Sequence, residues 1–370
     1  MYDLYKKGRK NAVGRSIYER EFHKLKLSFK KPYVDTCYKC DTLNMQVKVA
    51  NGEDKQNAER DLQLHQELAN TAYDAKKIDK EAKIDLKKKC FSLDLQQSFP
   101  TPFIVSSGAF YKRQLWTYNL TIHDNATGES TNYMWQEAMA SRGGNEIASC
   151  LYRHLKNLPD SISEVTFYSD TCGGQNKNSH VAAMFIKAQS KNPNLIINHK
   201  FLVPGHTHME CDIDHSMIEK QKKIMEIPVY HPHDWYQLVR KTGRKKQFEV
   251  HEMQQEEFSD FAALLKSGLI CRKKDISGDT FSWHTVQWLQ YKENGLVHYK
   301  TALSNTEYFK VLSCLRRRRK HVLKDFPVRS KYDGFIPIST EKKRDLCSLL
   351  CLITSVFHEF YRNLLTSMND

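Results

Sequence analysis

The sequence predicts an α/β protein built around a mixed five-stranded sheet. Three observations predict it. Three segments with strand-like alternation follow one another between residues 90 and 137, helical and strand-like segments then alternate to about residue 225, and acids stand where strands end.

The elements follow in order. "CFSLDLQQSF", from Cys90, is the first strand, and "FYKRQLWTYNLTIHD" holds a longer second one with Leu115, Trp116, Tyr118 and Leu120. "ATGE" is a turn, after which "STNYMWQE" forms the third strand. In "GGNEIASCLYRHLKNLP", Ile147, Leu151 and Leu155 share one face of a helix. "SEVTFYSD" is the fourth strand, stopped at Asp170 where Cys172, Gly173 and Gly174 force a turn. "NSHVAAMFIKAQSKNP" is a second helix, "NLIINHKFLV" a fifth strand, and after "PGHTH" the run "MECDIDHSMIEKQKKIM" resumes helical spacing. The order strand–strand–strand–helix–strand–helix–strand–helix is that of the ribonuclease-H-like fold, an antiparallel meander extended by two further strands.

This core is expected over residues 89–228. Residues 1–88 form a basic, helical N-terminal region holding "DTCYKCD" and a long charged helix from about Asp54 to Lys89. Leu62, Leu68, Ala72 and Ala75 give it a thin apolar stripe, and it reads as one long helix or helical hairpin, mostly solvated, or as a coiled coil joining two chains as a homo-oligomer. Residues 229–370 form an α+β region. In it "FSDFAALLKSG" is helical, "TFSWHTVQWLQYKENGLVHYKTAL" is a small β unit cored by Trp283 and Trp288, and an amphipathic helix capped by Ser339 or Thr340 closes the chain.

With 370 residues and a formal net charge of +14, the chain can bury a sizeable core and favours a polyanionic partner, DNA above all. Ten scattered cysteines exclude a disulfide scaffold and point to a reducing compartment, nucleus or cytoplasm rather than secretion. The longest apolar run, from Leu346, is too short to span a bilayer. Arg316, Arg317, Arg318 and Arg319 make a basic cluster suited to a nuclear signal or to phosphate contacts.

The chemistry rests on carboxylates. Asp94 lies in the first strand, Asp170 ends the fourth, and Asp212 opens the last helix of the core. These are the three slots from which a ribonuclease-H-like fold brings acids together. Such acids can hold two Mg²⁺ or Mn²⁺ ions roughly 3.5–4 Å apart for phosphodiester cleavage. His215 and Glu219 share a helical face with Asp212 and are further candidates, whereas Asp214 faces away. His206, His208 and His215 offer a competing zinc site. In "CGGQNKN" the Walker spacing is absent, so the glycines allow close backbone approach, and Gln175, Asn176 and Lys177 either contact phosphate or cap the next helix. Cys37 and Cys40 are candidate ligands of a structural zinc, with His65 one of the nearest histidines.

The segments "PYVDTCYKCD", "LDLQQSFPTP", "YSDTCGGQNKN", "PGHTHMECDIDHSMIE" and "FSWHTVQWLQY" together resemble a group of animal proteins derived from transposable elements. Their central domain looks like a DDE-type transposase or integrase core. The resemblance covers about Lys31 to Leu365. It implies that Asp94, Asp170 and Asp212 match an acidic triad, with His215 and Glu219 in the terminal helix motif. It also implies a longer upstream sequence in relatives, often a DNA-targeting region. The expectation is a transposase- or integrase-like nuclease, and the alternative is a domesticated protein that binds DNA or protein without cutting.

Overall fold

A computed structural model describes residues 2–9, 11–25, 36–81, 86–243, 248–267, 269, 273–293, 295–304, 306–314 and 327–367. The N-terminal region supplies α1 (Tyr2–Lys7), α2 (Arg15–Lys24), α3 (Tyr38–Val49) and α4 (Gly52–Glu81). The central stretch runs β1 (Lys88–Leu95), β2 (Phe99–Thr101), α5 (Ser107–Phe110), β3 (Leu115–Asp124), β4 (Ser130–Gln136), α6 (Gly144–Lys156), β5 (Glu164–Ser169), α7 (Ser179–Lys191), β6 (Ile196–Phe201) and α8 (Glu210–Ile224). There follow α9 (Pro232–Thr242), β7 (Glu249–Glu252), α10 (Phe261–Ser267), β8 (Trp288–Glu293), β9 (Leu296–Lys300), β10 (Lys310–Ser313), α11 (Thr340–Ser348) and α12 (His358–Arg362). Every element expected between residues 90 and 225 is present.

The sheet is larger than expected. It is a mixed ten-stranded sheet in the order β10-β9-β8-β6-β5-β1-β3-β4-β7, with β2 paired to β3. Within it β3 lies antiparallel to β1 and β4, while β1, β5 and β6 run parallel. Besides the short β2, the extra strands come from beyond residue 229: β8 adds antiparallel to β6, and β7 adds parallel to β4. The physical reason is that β6 and β4 would otherwise be edges with unpaired N–H and C=O groups. The β unit around Trp288 is thus a continuation of the central sheet.

Burial explains the layers. In β1, Phe91, Leu93 and Leu95 pack into one core with Ile147, Leu151 and Leu155 of α6 and with Val181, Met184 and Phe185 of α7. β1 lies between β3 and β5 in the plane of the sheet, and helices cover its two faces. The opposite face carries Cys90 and Tyr168, which pack with Ala69 and Ala72 of α4 and with Met209 and Cys211 at the start of α8. The stripe on α4 is therefore covered within the chain, by these residues and by α3. Polar contacts reinforce the docking: Lys76 pairs with Glu210, and Asp79 accepts from Lys200 and from the Tyr168 hydroxyl at 2.5 and 2.6 Å.

The closing segment is broken where one continuous helix was expected. Ser339 caps α11 by accepting from the Lys342 N–H at 3.2 Å, as foreseen. After Ser348 the chain changes to short 3₁₀ turns and an extended Ile353 before α12. Along this broken path Leu346, Leu349, Ile353, Tyr361 and Leu364 join one cluster with Leu115 and Ala138. No helix among the described residues is long and apolar enough to cross a membrane. The Arg316–Arg319 cluster lies outside the described residues.

Candidate metal centre

Strand parity decides which side chains of β1 meet the cleft. Phe91, Leu93 and Leu95 point beneath α6 and α7, so Asp94 points to the other face, toward α8. In the parallel register of β1 and β5, Ser92 stands opposite Tyr168. Two residues further on each chain come Asp94 and Asp170, neighbours at the C-terminal edge of adjacent strands. From α8, Asp212 and His215 share one helical face. The ligand atoms of Asp94, Asp212 and His215 all lie within 4.8 Å of one another.

The electrostatics follow from this crowding. Burial, then the charges of Asp170 and Asp212, push the Asp94 carboxyl up to about 7, against the Leu95 N–H and the Arg142 charge. Arg142 is exposed, and the sequence reading did not single it out. Burial lowers His215 to about 4, so its imidazole is neutral and ligand-competent near neutral pH. Its Nε2 is 3.0 Å from the Thr121 hydroxyl, which fixes the ring.

Asp170 is held from behind. Its Oδ1 accepts from Asn176 Nδ2 at 2.7 Å and from the Cys172 N–H at 3.0 Å. It lies outside the 4.8 Å group while remaining a principal charge acting on Asp94. Asp212 caps its own helix, its Oδ2 accepting from the Met209 N–H at 2.8 Å. A carboxylate offers about four acceptor sites, so capping leaves others for a cation.

Glu219 sits one turn beyond His215, where it accepts from Gln96 Nε2 and pairs with Lys222, both at 3.3 Å. Asp214 points to β3 and β4, as His215 does to β3. It is buried against His123 Nδ1 at 2.7 Å and the Ser130 hydroxyl, pinning α8 to β3 and β4. Two carboxylates and a neutral imidazole, with a third carboxylate adjoining, suit Mn²⁺, and suit Mg²⁺ with added waters.

Several expected contacts are redirected. Asn176 and Lys177 are buried, so neither faces a phosphate. The Lys177 ammonium sits 5.0 Å above the Phe201 ring and 3.5 Å from the His284 carbonyl, and burial lowers it to about 8. Gln175 is half-buried, and Asn178 is the residue that caps α7. Gly173 and Gly174 answer no packing demand: a Cβ at Gly173 would meet only the Lys177 carbonyl at 4.0 Å, and one at Gly174 nothing. Near this turn the tight glycine is Gly144, where a Cβ would fall 2.7 Å from the Asn178 side chain.

Positive charge near the acids comes instead from α4 and α8. Lys77 and Lys80 line a groove of about 530 Å³ with Asp212 and Ser216. Lys220 and Lys223 line a second, of about 750 Å³, with His215 and Glu219.

The three histidines proposed for a zinc hydrolase point three ways. His215 joins the acids, His208 is exposed, and His206 lies against Cys40. Cys37 and Cys40 come together with His65, as the sequence suggested, and also with His206, which lies far off in the chain. No family model, curated protein or solved structure matches this chain.

Proposed function

We propose that the chain is a metal-dependent nuclease or strand transferase acting on DNA, with a ribonuclease-H-like core of the transposase and integrase type. One observation carries the reading. Asp94 in β1 and Asp170 just past β5 lie close enough that the Asp170 charge acts on Asp94, and Asp212 meets Asp94 from α8. The strand order β4-β3-β1-β5-β6, with its meander and parallel extension, supports the same fold, as does the resemblance to transposon-derived proteins.

Asp94, Asp170 and Asp212 would hold the cations, and His215 adds a fourth donor. Divalent ions there supply activation of the attacking oxygen and stabilisation of the leaving one. The chain's own residues set the geometry. Asn176 and the Cys172 N–H fix the Asp170 carboxylate, Thr121 fixes His215, and the α8 cap fixes Asp212. Arg142, Lys77, Lys220 and Lys223 are exposed around the acids and would contact the DNA backbone.

The test is cleavage and strand transfer on DNA with Mg²⁺ or Mn²⁺, comparing wild type with Asp94→Asn and Asp170→Asn, alongside Mn²⁺ binding followed by electron paramagnetic resonance. Loss of both cleavage and Mn²⁺ binding in the variants is expected. Equal cleavage in wild type and variants would remove the reading. DNA retained but uncut by wild type with metal bound would favour the alternative of a binding protein.

A further inference from the structure

We propose that Cys37, Cys40, His65 and His206 form a structural zinc site that fastens the N-terminal helices to the loop from which α8 departs. The inference does not depend on the proposed nuclease activity. It rests on ligand geometry at a second cluster, distinct from the acids.

One ligand atom from each of the four residues lies within 4.8 Å of all the others. Cys37 Sγ is 3.2 Å from His65 Nε2, and Cys40 Sγ is 3.3 Å from His206 Nε2. A tetrahedral zinc with Zn–S near 2.3 Å and Zn–N near 2.0–2.1 Å has sulfur–nitrogen edges of about 3.5 Å, close to these separations. The two cysteines are free thiols, so no disulfide competes for them. Two thiolates and two imidazoles at tetrahedral spacing select zinc over the harder divalent ions. Four protein ligands leave no open coordination position, which makes the site structural rather than hydrolytic.

The backbone is shaped to bring His206 in. Gly205 has φ +80°, and a Cβ there would lie 2.6 Å from Cys37 Sγ. Only glycine lets the loop run against the cysteine and deliver the next residue to the cluster. Pro204 contributes its carbonyl 3.8 Å from the same sulfur.

The topology gives the site its purpose. Cys37 is the N-cap of α3, Cys40 lies in its first turn, His65 projects from the middle of α4, and His206 stands four residues before Glu210 opens α8. One ion would therefore tie three elements together where α8 begins, holding the helix that bears Asp212 and His215.

The experiment uses the full chain, purified under reducing conditions without chelator. Elemental analysis should find one zinc per chain. Replacement by cobalt should give the strong visible bands of a tetrahedral site with a thiolate charge-transfer band. Cys40→Ser and His206→Asn should lose the zinc, while His208→Asn and Asp94→Asn should keep it. Because the wild-type measurements stand alone, a variant that fails to fold does not remove the test. Wild-type chain that neither contains zinc nor gives the tetrahedral cobalt spectrum overturns the proposal, as does zinc kept by folded Cys40→Ser and His206→Asn. The DNA-cleavage result bears on neither outcome.

Discussion

The Lys200–Asp79 pair offers a direct measure of how firmly α4 is held to the sheet. Lys200 lies in β6 with its side chain only 5% exposed, and Asp79 on α4 is 23% exposed. Replacing Asp79 by alanine leaves the ammonium without its counter-ion in a nearly dry site. Breaking a buried pair from one side costs about 3–5 kcal/mol. The Tyr168 hydroxyl, 2.6 Å from Asp79, also loses its acceptor, adding about 1 kcal/mol. Lys200 sits 3.9 Å above the Trp288 ring with or without Asp79, so that contact cancels from the difference. The sum is a loss of about 4–6 kcal/mol for Asp79→Ala. In a Lys200→Met background the stranded charge is absent, so the same change should cost about 1 kcal/mol. Urea unfolding of the four proteins in this cycle gives a coupling of about 3–5 kcal/mol if the account is right. Equal costs in both backgrounds would refute it, as would a loss below about 1 kcal/mol, the range of a surface pair.

Other outcomes follow from single contacts. His154 is buried between Phe91 and Phe167, with Asp124 and Lys89 acting on its charge, and burial lowers it to about 4. The unfolded chain takes up this proton below about pH 6.5 and the folded chain only near 4. This group's contribution should therefore be complete above 6.5 and fall by up to about 3 kcal/mol on going down to 4, so the slope should be shallower by that amount in His154→Leu in denaturant titrations. Asn178→Ala removes the side chain that accepts from the His180 and Val181 N–H groups at 3.0 and 3.1 Å, and should cost about 1 kcal/mol in thermal unfolding. Gly144→Ala presses a Cβ into the same Asn178 and should cost about 1–3 kcal/mol, a penalty reduced in the Asn178→Ala background. DNA affinity should fall steeply with salt, and Lys220→Ala with Lys223→Ala should flatten the slope by roughly one unit each in a filter-binding series.

The central elements were legible because their signal is local. Alternation in β3 and the four-residue spacing of Ile147, Leu151 and Leu155 mark one face each, whatever the rest of the chain does. Asp94 could be placed on the cleft side by parity once Phe91, Leu93 and Leu95 were assigned to the core. What stayed hidden was set by partners distant in sequence. Nothing in "WLQYKE" tells which sheet edge β8 will cover, because pairing with β6 is a long-range choice. His206 meets Cys40 from 166 residues away, and no spacing rule spans that gap. Lys177 misled for another reason. A lysine in a glycine turn is ordinarily solvated, whereas here an aromatic ring and a carbonyl receive it from separate strands and loops.

The docking of α4 also sets a timetable for synthesis. Its buried face is completed by Leu202, Val203, Met209 and Cys211, all made after β6. About 125 residues separate Glu81 from His206, so at roughly 5–20 residues per second the finished helix waits about 6–25 s outside the ribosome for its seat. During that interval Ala69, Ala72 and Lys76 face water or a chaperone. Nascent chains stalled before residue 200 should be cut by protease within α4, and chains stalled well past residue 225 should resist.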